Sequence, residues 1–450
     1  RILKICQVLY PMDAKVNSQT HQPLLKRAMR NFAKVFSGKA IGAISALAYL
    51  ALAAQGLGTH DFGLIVLIHS YMLLFTRIIS FKSHNIIIKY GADYINSKNF
   101  YDFQKLVKFT FCLDFSSAIF GTMAGILIMQ LFGTYFGIPA EALFVASLYC
   151  FLSVTNINDT TSGLLRLFDR FDLIAIQSLV EPTIRLVGVG LTFYLDGAWQ
   201  MYLLVWFIAR IGGSLTMFVS AFNQLRRQNL LRIFNWQFVA LSQPHQGIWP
   251  FAWSSNLHGT VNSVGIQIVT LAIGGTLGPA GAALYKVAQE IAEVTIKAAA
   301  VFNTALYPEL AKLVSASGER SRIKTIINRS GKIGCLIGIA FTLLLTLSGE
   351  TVLQMIFGPD FIEAYPVLIL LAIGSTIALI TFPHESALYS VGKPETALLI
   401  KLISSTIQVL ALLVLLGQYG ISGAGYAAIT ANSVSTALLL VLTRRVLKYH

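Results

Sequence analysis

The chain has 450 residues, 55% of them hydrophobic and 12% charged, with a mean hydropathy of +0.67 and a formal net charge of +14. Soluble domains carry about 25% charged residues, and half that fraction cannot cover a globule of this length, so the apolar residues must meet lipid. The positive charge lies in short segments between apolar runs. That distribution excludes nucleic acid as a partner and reads as a membrane topology signal.

The apolar runs are long and unbroken, as in 40–59, 115–140 and 364–384, none of which contains Asp, Glu, Lys or Arg. Lipid offers the backbone no hydrogen bonds, so these runs must be helices, and they lack the short alternation of barrel strands. Residues 1–28 read as a polar cytoplasmic leader, and Ile2–Tyr10 is too short, and too early interrupted by Lys4, to be a cleavable signal. Spans are predicted near 32–55, 61–84, 106–132, 140–164, 173–195 and 198–222, then near 248–273, 279–306, 330–349, 363–389, 395–417 and 422–443. The result is an all-α membrane protein with about twelve transmembrane helices, in two six-helix sets.

Alternate loops carry opposite charge. One set holds Lys26, Arg27 and Arg30; Lys89, Lys98, Lys105 and Lys108; Arg166 and Arg170; Arg226, Arg227 and Arg232; Lys312 to Lys332; Lys393; and Arg444, Arg445 and Lys448. The other set holds Asp61, Glu141, Asp196, Glu350, Asp360 and Glu363, without Lys or Arg. The positive-inside rule makes the first set, and both termini, cytoplasmic. The chain then divides into a leader (1–28), a first bundle (29–224), a basic linker (225–247), a second bundle (248–443) and a tail (444–450). The longest outer loop runs from about Gly349 to Ile362. The halves echo one another: Gly56-Leu57-Gly58-Thr59-His60-Asp61-Phe62-Gly63 follows the first span, and Gly275-Thr276-Leu277-Gly278-Pro279-Ala280-Gly281 follows the seventh. Parallel repeats of this kind place a substrate between the halves near the midplane.

Ionisable groups inside spans are costly and usually face a partner or a wet cavity. Lys286, Glu290, Glu293 and Lys297 fall at four, three, four spacing on one helical face. They form either a polar cavity wall, with the two glutamates as ion-coupling sites, or two self-neutralising i,i+4 pairs, Lys286 with Glu290 and Glu293 with Lys297. Asn256, Thr260, Ser263 and Gln267 repeat the spacing one span earlier, as cavity lining or as helix–helix hydrogen bonds. Glu181 and Arg185 sit near mid-bilayer beside the helix-bending Pro182, and Arg210 has no acid within one turn. Arg185, Arg210, Lys286, Lys297, Asn256 and Gln267 are therefore the candidate substrate-binding residues, and Glu290 and Glu293 the candidate coupling residues. Arg77 and Lys401 read as snorkelling cations. Asp114 and Asp159 are possible partners for Arg77 and His84, and His384 and Glu385 read as interfacial. Gly38/Gly42, Gly121/Gly125 and Gly334/Gly338 are small faces for helix packing. Cys6, Cys112, Cys150 and Cys335 are scattered and imply neither a disulfide nor a metal. No phosphate loop, HExxH or GxSxG is present, so the sequence offers no enzyme, cofactor or nucleotide-driven pump.

Several segments resemble the polysaccharide transporters, the Wzx-type flippases of lipid-linked oligosaccharides in the multidrug/oligosaccharidyl-lipid/polysaccharide superfamily. They are Leu57-Gly58-Thr59-His60-Asp61-Phe62-Gly63-Leu64, Leu164-Leu165-Arg166-Leu167-Phe168-Asp169-Arg170-Phe171, Leu277 to Tyr285 followed by Ala288-Gln289, Tyr307-Pro308-Glu309-Leu310-Ala311, and Phe357-Gly358-Pro359-Asp360-Phe361 followed by Ala364. The resemblance implies two six-helix bundles around a central cavity that opens alternately to each side. It implies a bacterial inner-membrane carrier of undecaprenyl-pyrophosphate-linked oligosaccharide for O-antigen, capsule or exopolysaccharide synthesis. Membrane lipid, a polysaccharide polymerase and chain-length machinery would be its partners. Arg185, Arg210, Lys286 and Lys297 agree with the cationic cavity usual in that family, and Glu290 and Glu293 depart from it. The alternative is a cation-coupled multidrug exporter of the same superfamily.

Overall fold

A computed structural model of the chain describes residues 18–230, 247–300 and 320–449, together with Asn303, Leu306 and Leu310. Most of the leader, most of the basic linker, Cys6, Lys312 and the Tyr307-Pro308-Glu309 motif lie outside the described residues.

Described in chain order, the helices are α1 (Ser18–Ile79), α2 (Ser83–Asn96), α3 (Phe100–Phe132), α4 (Leu143–Tyr149), α5 (Asn158–Leu167), α6 (Phe171–Tyr194), α7 (Trp199–Arg227), α8 (Ile248–Ala292), α9 (Arg320–Phe357), α10 (Tyr365–Ser390), α11 (Pro394–Tyr419) and α12 (Ser422–Tyr449). Three-residue-per-turn segments fill Gly133–Phe136, Ala140–Ala142, Cys150–Ile157 and Pro359–Ala364. Helix satisfies every backbone group internally, the condition for contact with lipid.

Ten stretches of the described chain are long and apolar enough to cross a membrane, and two of them fold back at a glycine, which gives twelve crossings. Gly58 (φ 67, ψ −175) breaks α1, and Gly278 (φ 74, ψ −175) breaks α8. Only glycine occupies that region without strain. The reversal at Gly58 is visible in packing. Tyr49 and His69 both lie against the Trp206 ring, at 6.0 and 5.0 Å between ring centres, yet along a straight helix they would be about 30 Å apart. At Gly278, a methyl added to Gly281 would lie 3.6 Å from Ile273 Cγ2, eight residues back. The two halves thus use one glycine conformation at matching turns, as the sequence echo implies.

In the first half α3, α4, α6 and α7 pack on α1, and in the second α10, α11 and α12 pack on α8. The largest contact in the molecule is α1 against α8, and it joins the halves. One hydrophobic core crosses that junction and includes Phe62, Ile65, Tyr71, Phe357, Phe361, Val367 and Leu412. Leu343, Leu344 and Leu347 on α9, with Leu410, Leu413 and Val414 on α11, are exposed and form part of the lipid face. The glycine pairs serve as packing faces. Gly334 and Gly338 press on Leu379, Phe382 and Thr376 of α10, and Gly121 presses on Ile79. Gly42 meets the Ser178 carbonyl, at 3.2 Å from an added methyl. Pro182, four residues on, has no N–H to bond that carbonyl.

Four expectations change. Helix begins at Ser18, inside the expected leader. The inner loop bearing Lys89 is helical, as α2. The expected outer loop from Gly349 is helix as far as Phe357, followed by the Pro359–Ala364 turn. The fourth span is not one helix: Cys150–Ile157 breaks it at mid-membrane. Within it Thr155 accepts from a neighbouring helix, described next.

Candidate functional site

Glu181 is the hub of the first half. Its Oε1 accepts from Arg185 at 2.6 Å and its Oε2 from Arg210 at 3.3 Å. Glu181 and Arg185 share a face of α6 by i,i+4 spacing, and α7 brings Arg210 across to them. Arg210, which the sequence leaves without an acid, therefore has one from a neighbouring helix. Two guanidiniums share one carboxylate, so this cluster keeps one net positive charge. Arg185 is buried, donates to Tyr49 Oη at 3.0 Å, and lies over the Tyr49 and Trp206 rings at 5.5 and 5.0 Å. Such stacking stabilises a cation where water cannot reach it. Arg210 Nε donates to Thr155 Oγ1 at 3.4 Å, in the broken part of the fourth span. His69 Nδ1 and Tyr149 Oη, 2.9 Å apart, extend the network. A cavity of about 250 Å³ opens on the cluster, lined by Tyr49, Gln177, Ser178, Glu181, Pro182 and Arg185.

A second hub lies on α8. Glu290 accepts from Lys286 at 2.6 Å and from Lys297 at 2.7 Å. The expected Glu293–Lys297 pair is the weaker contact at 3.8 Å, and Glu293 instead accepts from Gln289 at 2.8 Å. Lys297 lies seven residues, two helical turns, beyond Glu290 and so shares its face. Two lysines face two glutamates here, so this wall is neutral. Lys286 lies within electrostatic reach of Tyr49 and His69.

The seventh-span stripe divides. Asn256 is buried, and its Oδ1 accepts from Thr260 at 2.7 Å, while the same hydroxyl lies 3.0 Å from the Arg77 carbonyl. This is helix–helix bonding between α8 and α1. Gln267 is half-buried, three turns further along α8. The Ser263 side chain lies outside the described residues. Asp159 pairs with His84 at 3.1 Å, as expected. Asp114 is buried on the hydroxyls of Ser83 and Thr160 and the Thr160 amide. His384 is buried rather than interfacial, and Glu385 and Lys401 line a common cavity of about 220 Å³ in the second half.

Sequence reading missed Tyr49, His69, Tyr149, Thr155 and Trp206. His69 carried a signal, as an ionisable group deep in a span. The aromatic residues carried none, because their role depends on helices distant in sequence.

The halves meet tightly at the glycine-turn end. Gln55 Nε2 donates to the Ile356 carbonyl at 2.8 Å, and Phe62 meets Phe361 edge-on at 5.9 Å. A methyl added at Gly63 would overlap the Pro279 carbonyl oxygen at 1.9 Å, and one at Gly137 the Gly274 oxygen at 2.0 Å. At the basic end, the link between the halves is the first limb of α8, with Trp249 against Phe81 and Phe109, and Phe251 against Tyr90.

The fold is shared by solved transporters. The chain is similar to an inward-facing multidrug resistance MATE family transporter of the MOP superfamily (TM-score 0.67, 14% identity, 99% of this chain and 98% of that one). It is similar to the lipid II flippase MurJ in an inward closed conformation (TM-score 0.69, 13% identity, 90% and 87%). An outward-facing MATE transporter gives a TM-score of 0.60 at 15% identity, over 93% and 96% of the two chains. In sequence, the chain is 28% identical over 337 residues to the inner membrane protein YghQ of Escherichia coli K12, across 75% of this chain and 94% of that protein. No protein-family profile matches. The chain is thus a multi-pass membrane protein of the MATE and MurJ fold.

Proposed function

We propose that the protein is a flippase that carries polyprenyl-pyrophosphate-linked oligosaccharide from the cytoplasmic to the outer leaflet of the bacterial inner membrane, for surface polysaccharide synthesis. The observation that carries this reading is the Glu181 hub, where two arginines share one carboxylate at membrane depth beside a cavity. The surplus charge favours an anionic ligand, and a pyrophosphate is the anion that guanidiniums hold best. A cationic drug would want the opposite surplus. The alkyl tail of such a substrate needs no pocket, since it can stay in lipid. Positive-inside topology puts the basic end and both termini in the cytoplasm. The sealed glycine-turn end is then the outer one, as an inward-facing or occluded carrier requires. The known lipid-carrying neighbour, MurJ, supports the reading by fold alone.

The test is a deletion strain complemented with wild type, Arg185→Ala or Arg210→Ala at equal membrane levels. Deletion is expected to abolish surface glycan and trap complete lipid-linked repeat units inside, and neither variant is expected to restore export. Normal surface glycan with heightened drug sensitivity would overturn the reading in favour of a drug exporter.

A further inference from the structure

The Glu181 hub carries more hydrogen-bond donors than Glu181 can satisfy. Both of its carboxylate oxygens are engaged, at 2.6 and 3.3 Å, on Arg185 and Arg210. Yet Arg185 Nε, Trp206 Nε1 and Asn156 Nδ2 are buried without an acceptor among the described residues. Unmatched buried donors are unusual, because leaving them unmade is costly. Of these residues Arg185 lines the cavity of about 250 Å³, together with Glu181, and Trp206 stacks on Arg185. A site with spare donors, a surplus positive charge and adjoining space is built for an acceptor that it does not itself supply.

A diphosphate entering that cavity meets a conflict. It needs the guanidinium N–H groups that Glu181 already occupies. With Glu181 ionised, the two arginines cannot balance both the carboxylate and a polyvalent anion in a low-dielectric site. A proton on Glu181 resolves both difficulties, since it frees the arginines and removes a negative charge.

We infer that Glu181 is an exchangeable counter-anion: the pyrophosphate group of the substrate replaces it on Arg185 and Arg210, and the displaced carboxylate takes up one proton. Anion and proton then bind the same lobe together and leave it together. The proton compensates charge for the crossing and does not supply the driving force. The inference rests on the anionic-substrate reading above. The other titratable groups around Glu181 are Tyr49 from the first limb of α1, His69 from its second limb, and Tyr149 from α4. Lys286 on α8 faces His69 from the second half. Arg77 on the second limb of α1 lies within electrostatic reach of Arg210. Phenols stay neutral near pH 7, so among the described groups beside Glu181 the competing proton acceptor is His69, tied to the Tyr149 hydroxyl at 2.9 Å.

The test is calorimetry on the purified full-length chain in lipid nanodiscs, titrated in two buffers of different ionisation enthalpy. Inorganic pyrophosphate and geranylgeranyl pyrophosphate are the two probes, a free anion and a lipid headgroup of the same chemistry. Wild type is expected to take up about one proton more per bound anion than Glu181→Gln does. Proton exchange by the probe itself is common to both chains and cancels. Uptake of one proton per anion makes wild-type affinity fall by up to tenfold per pH unit as pH rises, and the Glu181→Gln affinity is expected to show no such component. Glu181→Asp and His69→Gln should keep the uptake, and Arg185→Ala should lose at least tenfold in affinity. Excess proton uptake by wild type on binding supports the inference, and whether the lipid probe alone or both probes bind identifies the source of the anion. Equal proton uptake in wild type and Glu181→Gln overturns it while leaving the anionic substrate intact, and so does loss of the uptake in His69→Gln. Failure of both probes to bind wild type at any pH overturns it together with the flippase reading.

Discussion

Lys297 and Glu293 are one turn apart, and on spacing alone they pair. The structure gives Lys297 to Glu290 instead, so Glu290 holds two lysines, at 2.6 and 2.7 Å. The stability of this wall should follow from that asymmetry. Glu290→Ala strands Lys286 in a half-buried setting and leaves Lys297 only the weaker contact to Glu293 at 3.8 Å. Removing the shared partner of a buried pair costs about 3 kcal/mol or more. Lys297→Ala removes a group whose side chain is 50% exposed, and leaves Glu290 neutralised by Lys286. Exposed pairs are worth about 1 kcal/mol at most. Thermal unfolding in detergent should therefore rank Glu290→Ala well below Lys297→Ala, with Lys286→Ala between them. Equal melting temperatures for Glu290→Ala and Lys297→Ala would mean that the hub does not hold the wall.

At the scale of elements, Gly278 separates backbone strain from crowding. It has φ 74 and ψ −175, and an added methyl would meet nothing within 4 Å. Gly278→Ala should thus cost only the conformational penalty of that region, about 1–3 kcal/mol, read as a lowered melting temperature with the cavity residues untouched. An unchanged melting temperature would show that the turn relaxes to another geometry. These turns also mark where sequence reading succeeds. Twelve crossings, their order and the matching glycines were legible, because apolar runs and φ-demanding glycines are local signals. The break at Cys150–Ile157 was not, since the segment holds no glycine or proline and its contact with Arg210 comes from a helix distant in sequence. Likewise Glu181 and Arg185 were legible as an i,i+4 pair, whereas the capture of Arg210 by Glu181 depends on how α6 lies against α7. The stacking of Arg185 between Tyr49 and Trp206 joins residues more than a hundred positions apart, which no periodicity reports.

At the scale of the whole molecule, alternating access requires that the seal at the glycine-turn end be made and broken while the lobes stay intact. That seal depends on close backbone approach. Gly63 meets the Pro279 carbonyl and Gly137 the Gly274 carbonyl, each nearer than any β-carbon permits, and Gln55 reaches the Ile356 carbonyl at 2.8 Å. Each of these contacts joins one half to the other, so crowding them acts where the halves meet. Gly63→Ala should therefore wedge the halves apart at this end and shift the population toward the state open there. The shift is measurable with Gln55→Cys and Ile356→Cys joined by a short thiol-specific cross-linker, in a background without the native cysteines. Cross-linking should be efficient with Gly63 in place and should drop several-fold in Gly63→Ala. Transport should fall in both directions of the comparison: the cross-linked protein cannot open, and the alanine variant cannot close. Undiminished cross-linking in Gly63→Ala would show that the halves close through another surface, and would remove the glycine-turn end from the transport cycle.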